Sequence, residues 1–310
     1  MPVPSALACP ASLKGVLSAR EAAAALEDGF ADAGVECVPL PLADGGEGTV
    51  DALCDLVGYV EAHDAYGRAR NARVGRRDGA TFVEAAEVIP FDPERLDVMR
   101  ASSRGFGELI ERLHPERLVI ALGGTANMDA GAGLLDVLDT LPAPTTVLCD
   151  VQTMLYDAPR LFGPQKGATL EQVAELEERF RSLSALAPYA ELPGSGAAGG
   201  LGAAFASLGA ELVAGAAAVL DFVGFDPARY DLVVTGEGRV DATTTEGKAP
   251  AEVARRCAAA GVSCVVFGGV VTAPLPGVET VALSGDPDLA ADDLLELGLR
   301  LGARLLDAPG

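Results

Sequence analysis

Four short stretches of the chain set charged side chains beside glycines. They are Lys14-Gly15, Asp44-Gly45-Gly46-Glu47-Gly48, Phe162-Gly163-Pro164-Gln165-Lys166-Gly167 and Gly236-Glu237-Gly238-Arg239-Val240-Asp241. One kind of chemistry suits all four. Glycine lets the backbone turn tightly and approach a ligand, so its N–H groups can face phosphate or carboxylate oxygens. Lysine neutralises a phosphate as a point charge. Aspartate and glutamate hold Mg²⁺ through oxygen, or accept the proton of an attacking hydroxyl. Singly, each stretch reads as turn chemistry; together they point to a site for phosphate or carboxylate.

Other spellings carry less. Gly194-Ser195-Gly196-Ala197-Ala198-Gly199 matches the dinucleotide pattern in letters and precedes a helical segment, but Leu192-Pro193 stands before it where a buried strand is required. It reads as a loop for close packing or another ligand, with an NAD(P)-linked oxidoreductase as an alternative. No G-x-x-x-x-G-K-[ST] or G-x-S-x-G occurs. The two histidines, His63 and His114, are isolated, and the six cysteines form no C-x-x-C pair, which argues against a zinc site. Cys149 reads as core packing rather than a nucleophile. Forty-five acidic against 23 basic residues give a net charge of -22, a field that repels nucleic acid and anionic membranes. With no leader-like N-terminus and no long apolar run, the expected location is cytoplasmic, with free thiols.

These residues need elements to hold them. With 310 residues, two domains are expected. Residues 4–9 read as a strand, Ser18 as the cap of a helix ended by Gly34, 35–40 as a strand, and 49–53 as the opening of a helix. Residues 59–90 alternate in short pieces, as antiparallel sheet does. A helix is expected around 103–114, strands at 118–122 and 147–150, and a helix at 170–186. The pattern then alternates: helix 201–214, strand 232–235, turn 236–241, helix 249–260, strands 263–267 and 278–282, and helix 289–306. The expected fold is α/β: a discontinuous doubly wound domain (1–58 plus 203–310) with a smaller inserted α+β domain (59–202).

Several blocks in their order resemble the type I glycerate kinase family. They are Pro10-Ala11-Ser12-Leu13-Lys14-Gly15, Leu40-Pro41-Leu42-Ala43-Asp44-Gly45-Gly46-Glu47-Gly48-Thr49, Phe162 to Thr169, Gly196 to Gly202, Thr235 to Asp241 and Gly247-Lys248-Ala249-Pro250. The resemblance implies ATP-dependent phosphorylation of D-glycerate to 2-phosphoglycerate, Mg²⁺ as cofactor, a flavodoxin-like first domain and an active site in the cleft between the domains. The chain departs from the family's usual wording at Ala11, where an aspartate is usual, at Met128 and at Gln152-Thr153, and the stretch between Asp136 and Val147 is short.

On that reading Lys14 meets the transferring phosphate. Asp44 is the base for the glycerate hydroxyl or a Mg²⁺ ligand. Glu237 and Asp241 hold Mg²⁺, with Asp241 also in the catalytic set. Arg239 takes the glycerate carboxylate or forms a structural ion pair. Gly45, Gly46, Gly196, Gly199 and Gly200 present backbone N–H groups to phosphate. Lys166 and Lys248 contact phosphate, and Asp129 and Asp150 orient ligands or cap helices. The alternative, motivated by the departures, is a non-catalytic or altered-substrate relative that binds a nucleotide or small hydroxy acid.

Overall fold

The computed structural model describes residues 4–245 and 247–307. Its strands are β1 (Ser5–Ala8), β2 (Glu36–Pro39), β3 (Leu56–His63), β4 (Ala69–Arg77), β5 (Ala80–Glu84), β6 (Arg117–Ala121), β7 (Thr145–Cys149), β8 (Glu211–Ala214), β9 (Leu232–Val240), β10 (Ser263–Val271) and β11 (Glu279–Ala282). Its helices are α1 (Ala19–Asp32), α2 (Thr49–Leu53), α3 (Ala85–Val88), α4 (Arg104–Glu111), α5 (Ala132–Leu135), α6 (Ala158–Phe162), α7 (Leu170–Ser182), α8 (Ala197–Ser207), α9 (Gly215–Phe222), α10 (Ala249–Ala260) and α11 (Ala290–Asp307). The chain is of mixed α/β class and makes two compact units. The first is Met1–Asp44, Asp51–Leu53 and Val219–Gly310; the second is Gly45–Val50 and Cys54–Ala218.

In the first unit the sheet runs β2-β1-β9-β10-β11, with every pairing parallel. Parallel strands are covered on both faces, and here they read as apolar runs. Leu232, Val234, Val265 and Phe267 pack with Phe30 of α1 and Leu294 of α11. Cys264 and Val266 point the other way, toward Ala251 and Ala254 of α10. Burying a side chain such as Phe30 or Phe267 contributes about 1.5–3 kcal/mol. The Ser18 hydroxyl accepts from the Glu21 N–H while the Glu21 carboxylate accepts from the Ser18 N–H, a capping box that starts α1 where the sequence placed it.

One expectation in this unit is corrected. Residues 236–240 are not a turn: β9 continues through them, pairing Glu237 with Gly268, Arg239 with Val270 and Val240 with Val271. Its glycines serve close approach within a sheet. A Cβ on Gly236 would stand 2.3 Å from the Phe267 carbonyl oxygen.

In the second unit the order is β3-β4-β5-β6-β7-β8. The β3-β4-β5 meander is antiparallel and β5 to β8 are parallel. Its core includes an edge-to-face pair, Phe106 and Phe205, with centroids 6.0 Å apart. The expected helix over 201–214 is two elements. Residues 198–200 are left-handed, regular helix follows to Ser207, and Glu211–Ala214 is β8, opposite β7. Four residues, ELVA, are too short for periodicity to separate strand from helix. Because β8 joins this sheet, the unit extends to Ala218, where the sequence reading set a border at 202, and the second unit is the larger of the two. Among the described residues no helix is long and apolar enough to cross a membrane.

Candidate active site

The first unit gathers one group of charged side chains at the carboxyl ends of its strands. After β1 the chain passes Pro10, and the Ala11 N–H donates to the Gly236 carbonyl at 2.8 Å. Residues 13–17 then close a tight turn: the Leu13 N–H donates to the Leu17 carbonyl at 2.9 Å, with Gly15 at φ 76°. Lys14 is exposed at its tip. Gly238 of β9 lies against this turn; a Cβ there would stand 3.3 Å from the Leu13 Cα. Period two puts Glu237 on the strand face of Val233 and Thr235, and it meets the start of α10.

Glu237 has two partners. Its Oε1 accepts from the Thr244 hydroxyl at 2.8 Å, and its Oε2 lies 3.3 Å from the Lys248 Nζ, just before α10. The Thr244 hydroxyl in turn accepts from the Asp241 N–H at 3.1 Å. Burial raises the Glu237 carboxyl above its ordinary value; Thr244 and Lys248 pull it down, and the Asp44 charge pushes it up. Asp44, Glu237, Asp241 and Lys248 therefore share one neighbourhood. Arg239 is exposed and forms no ion pair among the described residues.

In the second unit, Gly45 and Gly46 form a buried bend. Gly45, at φ 89°, packs on Leu148 and Gly215, and Gly46 lies on Gly123: a Gly123 Cβ would stand 2.6 Å from the Gly46 Cα and 2.8 Å from Asp150 Oδ2. Glu84, at the end of β5, holds the bend from below. It is 1% exposed and accepts from the Gly48 N–H at 3.0 Å and the Val50 N–H at 2.5 Å, capping the first turn of α2. The sequence reading passed over Glu84, and the only signal was a lone acid in an apolar run, Thr81-Phe82-Val83-Glu84-Ala85-Ala86.

Burial raises the Glu84 carboxyl to about 7, against the lowering effect of its two N–H donors. The folded state thus holds a proton that the unfolded chain has released, so this stability is fully present below about pH 4.5 and is lost as pH rises through 7. At about 1.4 kcal/mol per pH unit it amounts to roughly 3 kcal/mol. Denaturant titrations from pH 4.5 to 7.5 should show wild type losing that much relative to Glu84→Gln. A difference that does not change with pH would remove Glu84 as the titrating group.

The same unit holds a pocket of about 190 Å³ beyond the ends of β6 and β7. Phe91, Leu122 and Phe162 form apolar walls, and Thr125, Asp150 and Lys166 supply polar groups. Lys166 is 6% exposed, and its Nζ donates to the Asn127 carbonyl at 2.8 Å. Burial lowers it to about 8, while Asp150 and Asp129 pull it back up. Asp129 accepts from the Ser103 N–H and hydroxyl, the Asn127 side-chain amide and the Gly131 and Gly133 N–H groups, so it organises the 127–133 loop. Burial pushes the Cys149 thiol up to about 12, as suits a packing role.

The Gly196 and Gly200 N–H groups have acceptors within the chain. The Gly196 N–H donates to the Thr153 carbonyl, and the Gly200 N–H donates to the Gly196 carbonyl, so neither faces a phosphate. A Cβ on Gly196 would lie 2.4 Å from the Met154 carbonyl oxygen, and one on Gly199 2.2 Å from that of Asn127. These glycines allow backbones to meet.

Comparisons with known proteins give the family. A family model described as the glycerate kinase family matches residues 6–142 and 142–285. The Escherichia coli K12 protein "Glycerate 2-kinase" is 35% identical over 79% of this chain and 80% of its own. "Glycerate kinase" of Bacillus subtilis 168 is 32% identical over 85% of this chain and 84% of its own. A crystal structure from Salmonella typhimurium LT2, described as glycerate kinase 2, superposes with a TM-score of 0.83 at 30% identity and covers 98% of both chains. The chain belongs to the glycerate kinase family.

Proposed function

We propose that the chain transfers the terminal phosphoryl group of ATP to the 2-hydroxyl of D-glycerate. The observation that carries the reading is the Asp44, Glu237, Asp241 and Lys248 neighbourhood beside the Lys14 turn, in a chain of this family. Phosphoryl transfer asks a protein for positioning and charge neutralisation rather than covalent chemistry. Asp44 accepts the hydroxyl proton as the new O–P bond forms and the bond to the ADP oxygen breaks. Lys14 meets the charge on the transferring group. Arg239 takes the glycerate carboxylate, and Gly45 and Gly46 present backbone to the phosphates.

Mg²⁺ suits this donor set. Asp44 acts on Glu237 as a like charge, an arrangement that a cation relieves. Among the described residues no three His, Cys, Asp or Glu side chains cluster tightly enough to hold a metal by themselves. A cation bound there would take its remaining ligands from phosphate oxygens and water. Glu237 and Asp241 would hold it, and when bound it neutralises the phosphate oxygens.

The order β2-β1-β9-β10-β11 is 2-1-3-4-5 by the first unit's own strands, with helices on both faces; this supports a flavodoxin-like doubly wound unit into which the second is inserted. A cytoplasmic location belongs to the same reading, and the six free cysteines support it.

A coupled ADP-release assay with MgATP and D-glycerate, and a control without acceptor, tests the reading. Glycerate-dependent ADP release is expected. Binding of ATP without release would favour the non-catalytic or altered-substrate relative. In the same assay Lys14→Ala should lower kcat by about 10²–10³, and wild-type turnover in a folded variant would end the role given to Lys14.

A further inference from the structure

We infer that the pocket beyond β6 and β7 is a nucleobase subsite, read by the Thr125 hydroxyl between the Phe91 and Phe162 walls. Calling the base adenine rests on the kinase reading above; that the pocket takes a flat, uncharged, hydrogen-bonding ring does not.

Three observations carry it. The first is an unmet hydrogen bond. Thr125 is 4% exposed, lines the pocket, and its Oγ1 has no hydrogen-bond partner among the described residues. A buried hydroxyl left unpaired is destabilising, whereas valine would fill the same volume without that cost. A ligand that donates to or accepts from Oγ1 gives the hydroxyl its use. The second is wall chemistry. Two phenylalanines and Leu122 suit the π faces of a ring. Glycerate carries four oxygens, a carboxylate and two hydroxyls, on three carbons and gains little from such walls.

The third is charge. Lys166 is the cation of the pocket, but it already donates to the Asn127 carbonyl and feels the Asp150 and Asp129 carboxylates. Little positive potential remains for a carboxylate or phosphate, so the phosphate contact expected of Lys166 gives way to a role as a fixed amine at the pocket wall. The volume, about 190 Å³, lies below the roughly 300–1,000 Å³ of sites that enclose a drug-sized ligand. It suits one ring system rather than a whole nucleotide.

The test uses the full chain and adenosine, which carries no phosphate. Calorimetric titration should show adenosine binding to wild type and binding about tenfold weaker to Thr125→Val. In the kinase assay the same variant should raise KM for ATP by a similar factor and leave KM for glycerate where it was. Its melting temperature should equal or exceed that of wild type, because an unpaired buried hydroxyl has gone. Phe162→Leu, which keeps the apolar volume but loses the π face, should weaken adenosine binding as well.

Adenosine that fails to bind wild type, or binds Thr125→Val with undiminished affinity, overturns the inference. So does a rise in KM for glycerate alone, which would assign the pocket to the acceptor. The two readings fail separately. Adenosine binding that depends on Thr125 without any glycerate-dependent ADP release would sink the kinase and keep the pocket. Normal turnover with Thr125→Val indifferent to adenosine and ATP would sink the pocket and keep the kinase.

Discussion

Asp44→Asn is expected to lower kcat by about 10²–10⁴, the usual range for loss of a positioned proton acceptor, while ATP affinity measured by titration changes little. Asparagine keeps the size of aspartate, so folding is not at issue, but it cannot accept the hydroxyl proton. The variant carries a second readout that a structural role would not give. The Asp44 charge helps to raise the Glu237 carboxyl. Removing it lets that carboxyl fall, so the acidic limb of the residual pH–rate profile should move to lower pH. Wild-type turnover in Asp44→Asn would pass the base to Asp241. Lost turnover with an unmoved acidic limb would mean that Asp44 acts without electrostatic contact to Glu237.

Where a single element carries its own start and stop signals, the sequence was enough. Ser18 announced α1, and the helix expected over 249–260 is α10 to the residue. The alternating pieces of 59–90 proved to be the β3-β4-β5 meander. What failed depended on distant partners. Gly236 and Gly238 spell a turn locally, yet Gly268 to Val271, some thirty residues on, continue the ladder and make them strand. Residues 211–214 become β8 only because β7 offers an edge.

The candidate site divides in the same way. Asp44, Glu237, Asp241 and Lys248 were legible as charged residues among glycines, and the fold brings them into one neighbourhood. Thr244, Glu84 and Thr125 were not. A threonine in Ala242-Thr243-Thr244 has no local mark that it will bond a carboxylate five to ten residues away, and the burial of Glu84 and Thr125 is set by whole-sheet packing. Lys166 shows the converse error. Gly163-Pro164-Gln165-Lys166-Gly167 reads as an exposed turn, but the 3₁₀ turn it forms directs the lysine inward to the Asn127 carbonyl.

Gly199→Ala should cost about 3 kcal/mol or more of folding stability, and that cost separates a packing glycine from a phosphate-binding one. Residues 198, 199 and 200 all stand in the left-handed region, with Gly199 at φ 64°. An L side chain there costs roughly 1–2 kcal/mol before any contact is considered. The added Cβ would also lie 2.2 Å from the Asn127 carbonyl oxygen, so the backbone must move. That oxygen is the acceptor for Lys166, and the Asn127 amide in turn donates to the Ala198 carbonyl at 3.0 Å, so the shift passes directly to the pocket wall. Gly209→Ala is the control. It has a similar φ of 88° but open space around it, and should lose only the backbone term. Denaturant midpoints of the two variants give the comparison. If Gly199→Ala unfolds where Gly209→Ala does, the close approach is not a constraint. If it unfolds with wild type and loses only activity, Gly199 meets a ligand after all.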